Sequence, residues 1–452
     1  MYTWILIGGG IFAIFASMGI GANDAANAFA TSIGSKSLSI KNAVILACIF
    51  EASGAVLMGN RVSDTIRKGI ANHECFENEP YVLMYGCMWV CFSVGLWLFI
   101  ASKYEMPVST THSCVGAMIG MTMVIKGPNC VIWYEEKEYF PYIGGVSGIV
   151  VSWIISPLFS SFVSFMLFGG LRNILLRSSD SFEKSIYAFP LIVGTTITLN
   201  TFYIVYKGAS GIGLDEMPLE HVFAWSFGLG GASGLIMIPL IRKYQNYVNK
   251  KYETQNTNII MDETEIDKGK SFDIDIDNIV HENNIISDIH ENAEHFDPKT
   301  EELFKGLQVF TAIFDSFSHG ANDVANAVGP FSTMYIIYKN GKVDEKNDLG
   351  VDAYWILAIG GVGISIGLAA YGYKIIQAIG VKLCKITPSR GICIELASAL
   401  VIITGSRLEI PLSTTHCQVG ATVGVAMLED TKRCSGINYK ILLKTLFGWF
   451  AT

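Results

Sequence analysis

The chain has 452 residues, 51% of them hydrophobic and only 16% charged, with a net charge of -8 and a mean hydropathy of +0.40. So small a charged fraction cannot cover the surface of a soluble protein of this length, which excludes a water-soluble enzyme or binding domain. An acidic, apolar chain is also a poor partner for nucleic acid, and none is expected.

A bilayer-crossing helix needs about 20 mostly apolar residues. In chain order, candidate spans run over Thr3–Ile33, Ile40–Gly59, Tyr81–Ser102, Tyr142–Phe168, Ile186–Tyr206, His221–Ile241, Leu303–Tyr338, Ala353–Tyr373 and Gly391–Thr404. Two shorter apolar pieces, Pro107–Ile125 and Pro411–Leu428, open on polar clusters. The first span lacks a basic residue ahead of its apolar run and is too long for a cleaved signal. The charge is concentrated in Lys251–Lys305, which holds fifteen Asp or Glu against five Lys, with His281, His290 and His295 among them. Such a composition buries too little apolar surface to offset its ordering entropy, and it reads as a disordered acidic loop. Of ten cysteines none forms a CxxC pair, and most lie inside spans as small apolar residues. Cys75 and Cys130 fall in loops assigned to one side, so a disulfide between them is open.

Self-similarity organises the chain. Gly21-Ala-Asn-Asp-Ala-Ala-Asn-Ala28 returns as Gly320-Ala-Asn-Asp-Val-Ala-Asn-Ala327, and Pro107-Val-Ser-Thr-Thr-His112 as Pro411-Leu-Ser-Thr-Thr-His416. The second motif follows the first by 83 residues in one copy and 88 in the other, and Trp153 and Trp449 trail their aspartates by 129 and 126. Seven crossings separate the two copies when Pro107–Ile125 counts as one broken crossing. An odd number inverts the second copy, and inverted repeats with discontinuous helices are a signature of secondary transporters. The predicted fold is therefore an all-α polytopic membrane protein with two inverted-topology repeats, re-entrant hairpins and about 11–12 segments. Residues 1–170 form the first repeat, 171–241 linking helices, 242–302 the acidic loop, and 303–452 the second repeat, whose register ends the chain within its last span. With the N-terminus outside, the loops placed inside carry the larger share of Lys and Arg, the cluster at Arg61–Lys68 being the misfit.

The motifs have distinct chemistry. A mid-span carboxylate costs about 2.5–3.5 kcal/mol to insert and needs a reason to be there. Asp24 is flanked by Asn23 and Asn27, and Asp323 by Asn322 and Asn326, with no basic residue within a helical turn. In a Gly- and Ala-rich stretch that permits unwinding, these oxygens make a hard-cation site of the sodium type. Packing by small residues is the plainer alternative. Ser109, Thr110 and Thr111, like Ser413, Thr414 and Thr415, stand where a proline opens a helix, so each set adds hydroxyls to unpaired N–H groups at a positive dipole end. Two such ends facing each other suit a tetrahedral oxyanion; two ordinary capping sequences are the alternative. A Ser-His-Asp hydrolase is disfavoured because every element is doubled and intramembrane. His112 and His416 are expected to orient the hairpins. Glu51 and Glu395 are further mid-span acids that are not repeat equivalents, and Asp315 is another.

With these motifs the whole chain resembles the inorganic phosphate transporter (PiT) family, which includes sodium-phosphate symporters and some sulfate permeases. Val62–Ile70 and Glu395-Leu-Ala-Ser-Ala-Leu are most similar to eukaryotic members. The resemblance implies external termini, a large cytoplasmic central loop, and a loop like 61–80 outside. It implies that Asp24, Asp323, Asn23 and Asn322 serve sodium, that Ser109–Thr111 and Ser413–Thr415 hold phosphate, and that Glu51 and Glu395 are needed for transport. Asp315 departs from the family's usual small residue. The expected function is sodium-coupled phosphate symport by alternating access at the plasma membrane, with no catalytic residue and no cofactor beyond sodium as coupling ion. Partners are then phosphate, sodium and membrane lipid, and the chain permits a homodimer. Sulfate permeation, or phosphate sensing through the acidic loop, are the competing readings; proton coupling and stoichiometry stay open.

Overall fold

The computed structural model describes every residue except 1, 139–141, 207–216, 259–275, 282, 344–353, 409, 411 and 430–435. The first half begins with α1 (Thr3–Ile20), a π-helical turn (Gly21–Ala25), α2 (Ala26–Gly34), α3 (Ile40–Lys68), α4 (Pro80–Lys103) and α5 (Thr110–Lys126). A two-stranded ribbon of β1 (Glu135–Glu136) and β2 (Ile143–Gly144) leads into α6 (Gly145–Leu171), followed by α7 (Ser181–Val205) and α8 (Leu219–Asn258). Two short helices, α9 (Ile276–His281) and α10 (Asn284–Asn292), precede α11 (Pro298–Asn340). The chain closes with α12 (Tyr354–Tyr371), α13 (Tyr373–Gln377), α14 (Pro388–Arg407), α15 (Thr414–Ala426) and α16 (Tyr439–Ala451).

Among the described residues eight helical stretches are long and apolar enough to cross a membrane. Their outward faces carry Ile154, Leu158, Phe162, Leu191 and Leu235 exposed, as a lipid-facing belt requires. The helix starts obey local rules. Ser39, Ser109, Asp297, Ser413 and Asn438 each accept a hydrogen bond from a first-turn backbone N–H, and Pro80, Pro298 and Pro388 open their helices. Gly341, at φ 71°, ends α11 in the left-handed conformation.

Helix α11 is the central post, packed against α1, α3, α4, α12 and α14. Two motif glycines make the packing possible. A Cβ at Gly21 would sit 1.8 Å from the Ile364 carbonyl oxygen, and one at Gly320 would sit 2.2 Å from that of Glu51. Each copy of the motif thus lies backbone to backbone on a neighbouring helix.

Three expectations need correction. The apolar span Ile40–Asn60 matches the expected one, but helix α3 carries on to Lys68, so the start of the stretch expected as a loop over 61–80 is helical; Arg67 within it is buried and holds Asp64 at 2.9 Å. The motif stretches are not unwound. The first copy is a π turn, whereas the second is continuous α-helix within α11. The acidic stretch is ordered in part. Helix α8 carries on to Asn258, and α9 and α10 bury Ile276, Ile286 and Ile289 against the bundle. Ion pairs hold this segment down: Lys36 with Asp277 at 2.7 Å, and Arg172 and Arg177 with Glu294 at 2.5 and 2.7 Å.

At one end of the bundle, the chain after α3 is tied to the chain after α5. Ala71 bridges to Val131, Ile132 N donates to Ile70 O at 2.9 Å, and Cys75 and Cys130 form a disulfide. Burial, with the charge of Arg67 nearby, pushes the His73 ring down to about 4 from 6.5.

Candidate functional site

The two hydroxyl clusters start two helices inside the bundle. Ser109 Oγ accepts from His112 N at 3.2 Å and Ser413 Oγ from His416 N at 3.3 Å, so both serines are spent as N-caps of α5 and α15. The hairpin tips are cross-linked. Thr111 Oγ1 donates to Leu412 O at 2.9 Å, and Thr415 Oγ1 lies 3.1 Å from Val108 O. Behind the tips each histidine grips both halves. His112 packs at a tilt on Trp153 and approaches the Trp449 carbonyl, while His416 packs at a tilt on Trp449 and bonds the Trp153 carbonyl at 3.0 Å. The orienting role expected of His112 and His416 has this geometry beneath it.

Between the tips lie the aspartates. Thr110 Oγ1 donates to Asp24 Oδ2 at 2.8 Å, and Asn27 Nδ2 and Thr415 Oγ1 donate to Oδ1. Asp323 Oδ1 accepts from Asn322 at 2.8 Å and Asn326 at 3.3 Å, and Oδ2 accepts from Thr414 Oγ1. The sodium-type and phosphate-type residues therefore form one buried cluster, not two sites. Asn326 Nδ2 also reaches Thr110 and Thr111 at 3.0 and 3.2 Å, and Asn27 Nδ2 reaches Thr415 at 3.1 Å, so each half's amide holds the other half's hydroxyls.

The flanking asparagines divide by task. Asn23 gives both amide protons to Ser102 and Met106 and accepts from Val108 N, and Asn322 bonds Leu412 O and accepts from Ser406. These two clamp the hairpins. Asn27 and Asn326 differ, for each keeps a buried side-chain oxygen with no hydrogen-bond partner. Two orphan amide oxygens beside two carboxylates make an all-oxygen set suited to a hard cation.

One residue at this centre carried no signal from the repeat. His319 precedes the second motif where the first copy has Ile20. Its Nδ1 lies 2.8 Å from Glu51 Oε2, and its Nε2 lies 2.9 Å from Asp323 Oδ2 but off the line of a hydrogen bond. Oxygens of Asp24 and Asp323 and a nitrogen of His319 all fall within 4.8 Å of one another. The missed signal was a helical one: Gln308, Thr311, Asp315, His319, Asn322 and Asn326 recur every three or four residues, a buried polar stripe down α11.

The stripe also explains the two glutamates. Glu51 on α3 meets it at His319 and at Ser316, 3.1 Å away. Glu395 on α14 accepts from Thr31 at 2.6 Å, Ser32 at 2.7 Å, Gln308 at 3.3 Å and Thr311. Each acid thus joins separate helices. The buried cations are occupied elsewhere, Arg67 by Asp64 and Arg390 by Glu429. Pro411 lies outside the described residues. An apolar cavity of about 590 Å³ between α7, α8 and α11 shares no residue with the cluster.

Comparison with known proteins identifies the family. The model of the phosphate transporter family matches residues 20–452. The chain belongs to the phosphate transporter family. It is similar to the phosphate-repressible phosphate permease of Neurospora crassa, 29% identical over the whole of this chain and 95% of the relative. It is 30% identical to the chloroplastic inorganic phosphate transporter 2-1 of Arabidopsis thaliana, over 98% of this chain and 68% of the other. The mouse sodium-dependent phosphate transporter 1 is 27% identical over 99% and 93% of the two chains. A solved structure described as the sodium-dependent phosphate transporter superposes with a TM-score of 0.77 at 29% identity, covering 99% of this chain and 94% of that one. This family and the eight apolar helices make the chain a multi-pass membrane transporter and not an enzyme.

Proposed function

We propose that this family member is a sodium-coupled symporter of inorganic phosphate that works by alternating access between inverted halves. The observation that carries the reading is the convergence of Asp24 and Asp323 with two hydroxyl-lined helix starts in one buried cluster. No lysine or arginine bonds either aspartate among the described residues.

The chemistry couples the ligands. Thr110, Thr414 and Thr415 each have one hydroxyl proton, and each directs it at a carboxylate. Sodium ions held by Asp24, Asp323, Asn27 and Asn326 supply that positive charge instead. The released protons, with the backbone N–H groups of two helix starts, then point at the oxyanion. Cations also neutralise a divalent phosphate where the dielectric is low. In this reading Ser109 and Ser413 set the helix starts while the threonines touch the anion, and Asn23 and Asn322 hold the tips in place. Glu51 and Glu395 couple the cluster to α3 and α14, which must shift against α11 for access to alternate.

External termini, a cytoplasmic acidic segment and the plasma membrane belong to the same proposal, supported by the distribution of basic residues. The names of the mouse relative and of the solved structure favour sodium. The test is radiolabelled phosphate uptake into proteoliposomes with and without an inward sodium gradient, with sulfate and arsenate as competitors. Sodium-stimulated uptake inhibited by arsenate but not sulfate is expected. Preferred uptake of sulfate, or no flux at all, sinks the reading.

A further inference from the structure

Five buried carboxylates border the polar stripe of α11: Asp24, Glu51, Asp315, Asp323 and Glu395. Four are met by donors on their oxygens, as described above. Asp315 is the exception. It is 2% exposed, and its Oδ1 has no hydrogen-bond partner. Ser398 on α14, 1% exposed, lies within reach of the Asp315 carboxyl, yet its hydroxyl makes no aligned hydrogen bond. Among the described residues no lysine or arginine pairs with Asp315, and the neutral hydroxyl of Ser398 is the one donor beside its carboxyl.

Charge narrows what could satisfy that carboxyl. The titratable groups acting on Asp315 are Glu395 from α14, Glu51 from α3, His319 on its own helix and Cys417 from α15. Glu51 already has His319, and Glu395 already has four donors, so neither supplies a counter-charge. Two carboxylates next to each other in a low-dielectric interior oppose double ionisation. A sodium ion is a poor occupant, because a hard cation gathers about six oxygens and only one carboxylate oxygen and one hydroxyl are unmatched here. A proton needs no such shell: it turns the carboxyl into a donor and leaves the neighbouring hydroxyl an acceptor.

We propose that Asp315 is a proton-binding site separate from the sodium cluster, and that its proton travels with phosphate. The proton is taken from water on one side onto a carboxylate oxygen of Asp315 and released to water on the other, with no covalent step. This rests on the symport reading above and adds a second coupling ion to it. Asp315 is eight residues from Asp323, so removing its charge leaves the sodium oxygens in place.

The experiment compares wild type with Asp315→Asn, Asp315→Gly and Asp315→Glu in proteoliposomes under one fixed sodium gradient. Steady-state phosphate accumulation is measured with and without an inward tenfold proton gradient. The gradient redistributes phosphate species identically for every variant, so the difference between variants isolates Asp315. Wild type and Asp315→Glu should gain about tenfold more accumulation from the proton gradient than the Asn and Gly variants do, as one coupled proton requires. Equal responses in all four overturn the proposal. So does a neutral variant that instead loses one step of sodium cooperativity, because the site would then be a sodium site. Loss of all uptake in both neutral variants at wild-type membrane abundance also overturns it, by making Asp315 part of phosphate binding. Glycine, with no side chain to pack, guards against an asparagine that fails to insert. If wild type itself accumulates no phosphate, the symport reading fails first.

Discussion

At the scale of single residues, the threonines carry the sharpest consequence of the geometry. Thr110 spans the halves, giving its proton to Asp24 and accepting from Asn326, and Thr414 serves Asp323. Valine keeps the shape and deletes the donor. Removing one donor to an anion costs about 1.5–3 kcal/mol, so Thr110→Val and Thr414→Val should each raise the apparent phosphate constant roughly ten- to a hundredfold. In the proposed site both reach one ligand, so the double variant should depart from additivity. Binding titrations on the three variants check this, and wild-type affinity in both single variants would remove the threonines from the substrate site. Most of these residues were legible because the sequence states them twice. Asp24 and Asp323 have small neighbours and no lysine or arginine close by in the sequence, which is unusual enough to mark function, although His319 stands one helical turn before Asp323. His319 was not legible in that way, since comparing the copies discards whatever only one possesses. Only the three-to-four spacing along α11 could have exposed it. The division of labour among the asparagines was hidden too, for Asn23 and Asn27 look alike until Ser102 on α4 and the Met106 carbonyl are seen to take both amide protons of the first.

Helices and hairpins show a similar split between what composition announces and what packing decides. The starts of α5 and α15 were readable because Pro, Ser and Thr at a helix origin have a local cause. The docked helices α9 and α10 were obscured, because acidic composition outweighs two isoleucines, Ile286 and Ile289, three residues apart on one face. This alters what the acidic segment does. Deleting 259–275 should leave uptake and thermal stability unchanged, since an ordered helix flanks the cut on either side. Glu294→Ala should instead lower stability by about 1 kcal/mol, because it unpairs Arg172 and Arg177, and the partial exposure of the network limits the loss. Thermal unfolding of the purified variants separates the two effects; an inert Glu294→Ala means the docked segment hangs on its isoleucines alone. The disulfide-linked cap predicts a pH dependence. The His73 ring titrates at about 4 in the fold against 6.5 outside it. The unfolded chain therefore binds the extra proton, and stability falls as pH drops from 6.5 towards 4, then levels off. The whole span corresponds to about 3 kcal/mol at most. His73→Gln should flatten that slope in melting curves at pH 7, 5.5 and 4.5, and an unchanged slope would assign the acid sensitivity to other groups.

Across the whole molecule, duplication made the architecture legible, since two copies of one motif pair dictate two hairpins and two acidic helices at matched positions. What duplication could not reveal is that the hairpins would lock into each other's half, with Thr415 at Asp24 and Asn326 at Thr110. In the proposed symport, that cross-locking supplies the coupling logic. A hydroxyl has one proton, so Thr110, Thr414 and Thr415 cannot serve a carboxylate and an oxyanion together. Sodium should therefore raise phosphate affinity by freeing these donors. At about 1.5 kcal/mol for even one donor regained, the rise should be tenfold or more. Linkage then requires phosphate to raise sodium affinity by the same factor. Calorimetric titration of purified protein should give a phosphate constant at least tenfold weaker in choline than in saturating sodium, and an equal ratio for sodium with and without phosphate. Asp24→Asn retains a side chain that can accept from Thr110 but loses the charge proposed to hold the ion, so its phosphate affinity should become insensitive to sodium. Asp323→Asn should behave alike, though His319 beside it will then face only Glu51 as a charged partner. If wild type binds phosphate equally well in choline and in sodium, the hydroxyls are not the coupling element, and the two ligands meet through helix movement alone.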